Sequence, residues 1–175
     1  VVYVQPDLAL LSEVELKQEK IVYNVLQEYA RSGMLERIYL VSNLQIQEAL
    51  GDIPIMEYYN TINQALINTL HMINVFSHSE AVLGTFTQPM IISRISTLGV
   101  VDLEENEEKW FYDLQMPRDV IYYYGIGEEE LKTDEKLFKN ITGFVKEKVK
   151  DNCYCIKHSS VVQSYINELD DQDIG

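Results

Sequence analysis

Three side chains have the types and spacing to read a flat, hydrogen-bonding ligand. Asn43 ends the run Ile38-Tyr39-Leu40-Val41-Ser42-Asn43. Its amide carries a donor and an acceptor, which suits a purine edge or a ribose hydroxyl. Tyr59 and Asn63, in Tyr59-Asn60-Thr61-Ile62-Asn63, stand four apart, so a helix puts them on one face. An aromatic ring stacks on a base for roughly 1–3 kcal/mol, and an amide one turn away reads the base edge. The same residues also fit plainer roles, Asn43 as a helix cap and the Tyr/Asn pair as core and surface.

Other chemistries find less support. His71 and His78 are seven apart with no third metal ligand beside them. Cys153 and Cys155 flank Tyr154, which on a strand points both thiols to one face; two packed thiols explain that pattern. No Gly-x-Ser-x-Gly run exists. Tyr122-Tyr123-Tyr124 reads as strand packing, and the acidic runs at residues 104–108 and 128–130 read as solvated turns.

The elements that must position these groups follow from periodicity. Residues 1–4 read as a short buried strand, stopped by Gln5-Pro6-Asp7. Ile21, Val25, Leu26 and Tyr29 have helical spacing over residues 16–32, and Gly33 is the stop. Ile38–Val41 is a second strand, and residues 44–50 form a helical turn or two before Gly51. Pro54 opens a long helix over residues 55–76, about 30 Å long. Its apolar residues occupy more than one side, so burial between two bodies is expected. A short helix is expected at residues 86–93. Strands follow at 95–103, 110–114 and 120–126, then a helix over 131–150 and a strand at 153–157. Strands alternating with helices in the first half imply a parallel, helix-covered sheet. Ligands of such sheets sit at strand carboxyl ends. Two such ends are visible, Gln5-Pro6-Asp7 and Ser42-Asn43.

Composition bounds the function. The chain has 175 residues, 14 basic and 28 acidic, for a formal charge of −14. It is 46% hydrophobic and 24% charged, a globular balance. So acidic a surface repels phosphate backbones, which argues against direct nucleic-acid binding. No apolar run approaches the roughly 20 residues that span a bilayer, so no membrane partner is expected. Two cysteines are too few for a disulfide framework, and a cytoplasmic setting is the expectation. The chain opens in a strand-like run without an initiator Met, which leads us to expect a segment upstream.

The order of these segments resembles the tubulin/FtsZ superfamily of GTPases, nearest to the plasmid- and phage-borne TubZ type. The run Ile38–Asn43 resembles the strand whose terminal Asn contacts guanine. Tyr59-Asn60-Thr61-Ile62-Asn63 resembles the start of the central helix, where the aromatic stacks and the Asn reads the edge. Residues 1–7 resemble the strand and loop before the ribose contact, and Tyr23-Asn24-Val25-Leu26 the helix after it. Gly99-Val100-Val101-Asp102 and residues 120–126 match the layout of the C-terminal activation domain. The resemblance implies an α/β fold: the end of a parallel-sheet nucleotide-binding domain over residues 1–54, a central connecting helix over 55–78, an α+β activation domain over 79–160 and an acidic tail over 161–175.

It also implies a function and its parts. Asn43, Tyr59 and Asn63 would hold the guanine of GTP or GDP, with Asp7, Glu13 or Glu15 at the ribose. Head-to-tail self-association would build a filament, used for plasmid or phage segregation or cell division. A basic adaptor could meet the acidic tail. Two departures stand out. The glycine-rich phosphate loop is absent, since no Gly-Gly pair occurs among the 8 glycines. Phosphates and any Mg²⁺ would then be held by an N-terminal half, and these residues alone would bind nucleotide weakly or not at all. The family's catalytic acids fall at Thr85 and Gln88, neither of them a carboxylate, with Glu80 as the substitute in the same loop. The alternative is therefore a hydrolysis-deficient tubulin-like interaction or filament-binding module.

Overall fold

The computed structural model describes residues 1–78, 81–83, 93–102, 107–115, 117, 119–126, 132–151 and 156–162. The fold is mixed α/β, with a small three-stranded parallel sheet and four helices among the described residues. Two compact units are each made of two chain segments: Val1–Leu66 with Met90–Met116, and Ile67–Pro89 with Pro117–Gly175.

The first unit begins with β1 (Val2–Gln5) and α1 (Glu13–Ser32), leading to β2 (Ile38–Ser42). β1 and β2 are parallel, with Val2 opposite Tyr39 and Gln5 opposite Ser42. β4 (Ile95–Thr97) pairs parallel on the other side of β2, Ile38 opposite Ile95. The central β2 is therefore the most buried strand; Ile38, Leu40 and Val41 are at most 1% exposed. β1 lies at the edge, and Val4 is 42% exposed, so the expectation of a buried first strand is corrected.

α1 starts at a capping box. The Ser12 hydroxyl accepts from the Glu15 N–H while Glu15 accepts from the Ser12 N–H. It ends at Gly33, whose φ of +84° is left-handed backbone that glycine adopts without strain. Ala30 packs with Ile38 and Leu40, and Tyr3, Tyr23, Leu26, Ile95, Tyr112 and Leu114 surround that cluster. Of the residues whose spacing marks the helix, Ile21, Val25 and Tyr29 are exposed; only Leu26 joins the packed face.

After β2 come α2 (Asn43–Leu50) and α3 (Tyr58–Ser77). The residues just after Pro54 form a turn rather than helix: the Glu57 N–H donates to the Pro54 carbonyl. On α3, Ile62, Thr69 and Phe76 are buried, a seven-residue spacing that keeps them on one side. The unit boundary falls between Leu66 and Ile67, inside this helix.

The expected strand over 95–103 breaks at Leu98 into β4 and β5 (Gly99–Asp102), and β5 pairs antiparallel with β6 (Glu107–Trp110). Glu107 and Glu108 are thus strand residues, not turn residues, and Trp110 ends a strand instead of opening one. The buried Phe111 ties this hairpin to the sheet: its N–H donates to Leu98 O and its carbonyl accepts from Ser42 N–H.

The second unit holds β3 (Ala81–Leu83), β7 (Asp119–Gly125), α4 (Leu137–Asp151) and β8 (Ile156–Val162). β7 and β8 are parallel and joined through α4, and β3 pairs antiparallel with β8. α4 begins later than expected, because Asp134 accepts from the Lys136 N–H and the Leu137 N–H and so starts the helix there. β8 also begins later than the expected strand at 153–157. The tyrosine run packs as expected of a strand: Tyr122 meets Phe144 edge-on at 5.3 Å, and Tyr123 lies against Phe76 at 6.0 Å. The short helix expected at residues 86–93 falls almost wholly outside the described residues, as do Cys153, Cys155, the acidic run at 128–130 and the tail.

Candidate functional site

Parallel pairing of β1 and β2 brings both carboxyl ends to one edge of the first sheet. The chain leaves β1 through Pro6 and Asp7 and leaves β2 directly into α2. A cleft of about 300 Å³ opens there, lined by Gln5, Pro6, Asp7, Leu8, Ala9, Ser42, Leu44 and Gln45. Its position follows the rule for parallel sheets, where strand ends and helix starts diverge and leave room for a ligand.

The polar groups on its walls are few and already partly engaged. The Asp7 carboxylate accepts from the Ala9 N–H at 2.9 Å and so caps the single turn of helix at Leu8–Leu10. The Ser42 N–H is spent on the Phe111 carbonyl at 2.6 Å. Gln45 is different. Its Oε1 is buried and has no hydrogen-bond partner among the described residues. A buried acceptor without a donor carries an unrecovered desolvation cost of about 1–3 kcal/mol. A donor N–H or O–H would recover it once rotation of the side chain brings the oxygen to the cleft. Gln45 was not singled out from the sequence. Its signal was there: it sits two residues beyond Asn43, in the first turn of a helix that starts directly at a strand end.

The other expected site residues divide. Asn43 is half-buried and is the first residue of α2, next to the cleft-lining Ser42 and Leu44. Tyr59 and Asn63 are both exposed on α3, consistent with one shared face. Tyr59 is 74% exposed, and its ring meets Tyr58 edge-on at 5.3 Å. Neither lines the cleft. Glu13 is exposed as the first residue of α1, and Glu15 is engaged in the capping box. Hydrogen bonds from Ser12 hold the Glu15 carboxyl below its ordinary value. Glu80, Thr85 and Gln88 lie outside the described residues.

A second polar constellation lies in the same unit. The Tyr3 hydroxyl donates to Glu19 Oε1 at 2.6 Å, and Gln5 Nε2 donates to the same oxygen at 3.2 Å. The Tyr23 and Tyr112 hydroxyls share a hydrogen bond of 3.0 Å. Burial first, then the neighbouring carboxylate or hydroxyl, pushes the Tyr3 and Tyr112 hydroxyls well above the usual tyrosine range. Held neutral, these hydroxyls are fasteners between β1, α1 and the segment after β6, not acids.

No group of three His, Cys, Asp or Glu side chains that could hold a metal occurs among the described residues. His78 Nδ1 is 2.8 Å from the Asn74 carbonyl. Among the described residues no helix is long and apolar enough to cross a membrane. Comparison of the chain with protein-family models, with curated proteins and with solved structures finds no match.

Proposed function

We propose that these residues are part of a tubulin/FtsZ-like GTPase that polymerises head to tail, with the guanosine end of GTP at the carboxyl edge of the first sheet. One observation carries this reading. The parallel β1–α1–β2 unit opens a cleft at its carboxyl ends, with Asp7 and Gln45 on its walls and Asn43 beside it. Asp7 would accept from a ribose hydroxyl. Gln45 and Asn43 would meet the donors of a guanine edge. Tyr59, exposed as it is, would serve as the stacking ring, with Asn63 on the same helix face.

The remaining parts belong to the same proposal. No glycine-rich cradle lies in these 175 residues, so phosphates and Mg²⁺ would be held elsewhere. Residues 80–88 would contact the next subunit, with Glu80, Thr85 and Gln88 facing its nucleotide. Of the part after the central helix, β7, α4 and β8 would belong to the activation domain, and the acidic tail would receive a basic adaptor. Thr85 and Gln88 favour a second reading, a filament-forming or filament-binding relative that hydrolyses slowly, because neither is a carboxylate base.

The test is GTP-dependent pelleting of the polypeptide expressed from its complete coding sequence. Pelleting with GTP and not with ATP supports the proposal, and the rate of phosphate release then separates the two readings. Asn63→Ala should weaken GTP affinity about tenfold, the worth of one lost hydrogen bond to a base edge. Unchanged affinity removes Asn63 from the site. Absence of both pelleting and GTP binding overturns the proposal.

A further inference from the structure

The apolar stripe of α1 points to a second copy of this chain. Val14, Ile21, Val22, Val25 and Tyr29 are between 41 and 64% exposed. At 3.6 residues per turn they fall, with the exposed Gln18, within an arc of about 100°. The opposite side of α1 is the one that packs, through Tyr23, Leu26 and Ala30. An isolated exposed apolar residue is ordinary, but a continuous helical stripe is a contact surface.

The stripe is self-complementary when two copies run antiparallel. Its residues are placed symmetrically about the point between Ile21 and Val22. Val14 and Tyr29 are equidistant from that point, and so are Gln18 and Val25. Two copies of α1 laid antiparallel about a two-fold axis there set Ile21 against Val22, Gln18 against Val25, and small Val14 against large Tyr29. That is an isologous contact. The flanking charges agree. Lys17 and Glu28 are 11 residues apart, three turns, and so lie on the same flank of the stripe. In the antiparallel pair Lys17 of each copy falls about 3 Å along the axis from Glu28 of the other. A parallel two-fold pair would instead put the two Lys17–Glu28 flanks on opposite sides of the seam, so Lys17 of one copy would not meet Glu28 of the other. Glu28 also holds Arg31 of its own helix at 2.6 Å, and Lys17, like Lys20, has no ion pair among the described residues.

We propose that α1 forms an antiparallel, two-fold α1–α1 contact between copies of this chain. One helix pair buries less than the about 1,200 Å² of a standard interface, so the dimer is weak and reversible. The contact needs no nucleotide, and its failure leaves the functional reading above intact.

Sedimentation equilibrium of the 175-residue chain without nucleotide reads it. The wild type should show a concentration-dependent monomer–dimer equilibrium. Ile21→Glu should raise its dissociation constant about a hundredfold, because two central side chains lose their burial. The site is 63% exposed, so the fold should persist, and circular dichroism checks that. Lys17→Glu should weaken the dimer, and Lys17→Glu with Glu28→Lys should restore it. Register is read by disulfide trapping in a Cys153→Ser, Cys155→Ser background. A mixture of Val14→Cys and Tyr29→Cys chains should cross-link, and Val14→Cys alone should not. A chain monomeric at every attainable concentration overturns the proposal. So does a dimer indifferent to Ile21→Glu, a charge swap without rescue, or cross-linking of Val14→Cys to itself.

Discussion

Tyr3, Glu15 and Gln45 each tie a polar atom to a measurable property. Tyr3 donates to Glu19, and its raised pKa means the folded state holds the proton more tightly than the unfolded state does. Stability from this group is therefore full below the ordinary tyrosine pKa of about 10 and is lost as pH rises beyond it. Tyr3→Phe should cost about 1 kcal/mol at neutral pH and flatten that alkaline decline in urea unfolding followed from pH 8 to 11. Glu15 has the opposite sign. Its lowered pKa gives stability that is present above the ordinary carboxylate value and is lost as pH falls through the lower folded value. Ser12→Ala removes the hydroxyl half of the capping box, leaves the backbone N–H donating to Glu15, and should cost about 1 kcal/mol, with reduced helicity at the start of α1. Gln45→Leu swaps an unpaired buried acceptor for an apolar group of similar size. It should leave the melting temperature unchanged or raise it, while abolishing any ligand that the cleft holds.

At the scale of the elements, the β5–β6 hairpin has a close backbone approach at Gly99. A Cβ on Gly99 would stand 2.7 Å from the Lys109 carbonyl and 2.8 Å from the Trp110 ring. The obstacle is partly backbone, so it cannot swing aside. Gly99→Ala should cost about 1–3 kcal/mol in denaturant unfolding. Local signals in the sequence located α1, β2, α2 and most of α3, because each has its own periodicity or stop signal. Gly33 is the clearest example. What stayed hidden depends on partners distant in sequence. Nothing in residues 95–103 announces the break at Leu98, which exists because Phe111 claims its carbonyl. Apolar spacing cannot say which side of α1 is packed; Tyr23, Leu26 and Ala30 win because the sheet is there. The candidate site was half legible. Strand ends pointed to where a cleft opens, but the Gln45 acceptor becomes visible only once burial is known.

At the scale of the whole molecule, charge governs association. Each chain carries −14, so two copies repel, and at about 0.01 M salt the screening length of about 30 Å leaves that repulsion almost unscreened. Exposed Lys17–Glu28 pairs, worth about 0.2–1 kcal/mol each, do not offset it. Self-association should therefore strengthen as salt rises from about 0.01 to 0.15 M, read as a falling dissociation constant in sedimentation. The interleaving of the two units has a further consequence, in the order in which the chain is made. β2 gains its β4 neighbour only when residues 95–97 emerge, and Ser42 and Tyr23 wait for Phe111 and Tyr112. At about 5–20 residues per second, synthesis leaves the most buried strand with one open edge for several seconds. During that interval Ile38 and Leu40 lack the Ile95 and Thr97 neighbours they have in the finished sheet.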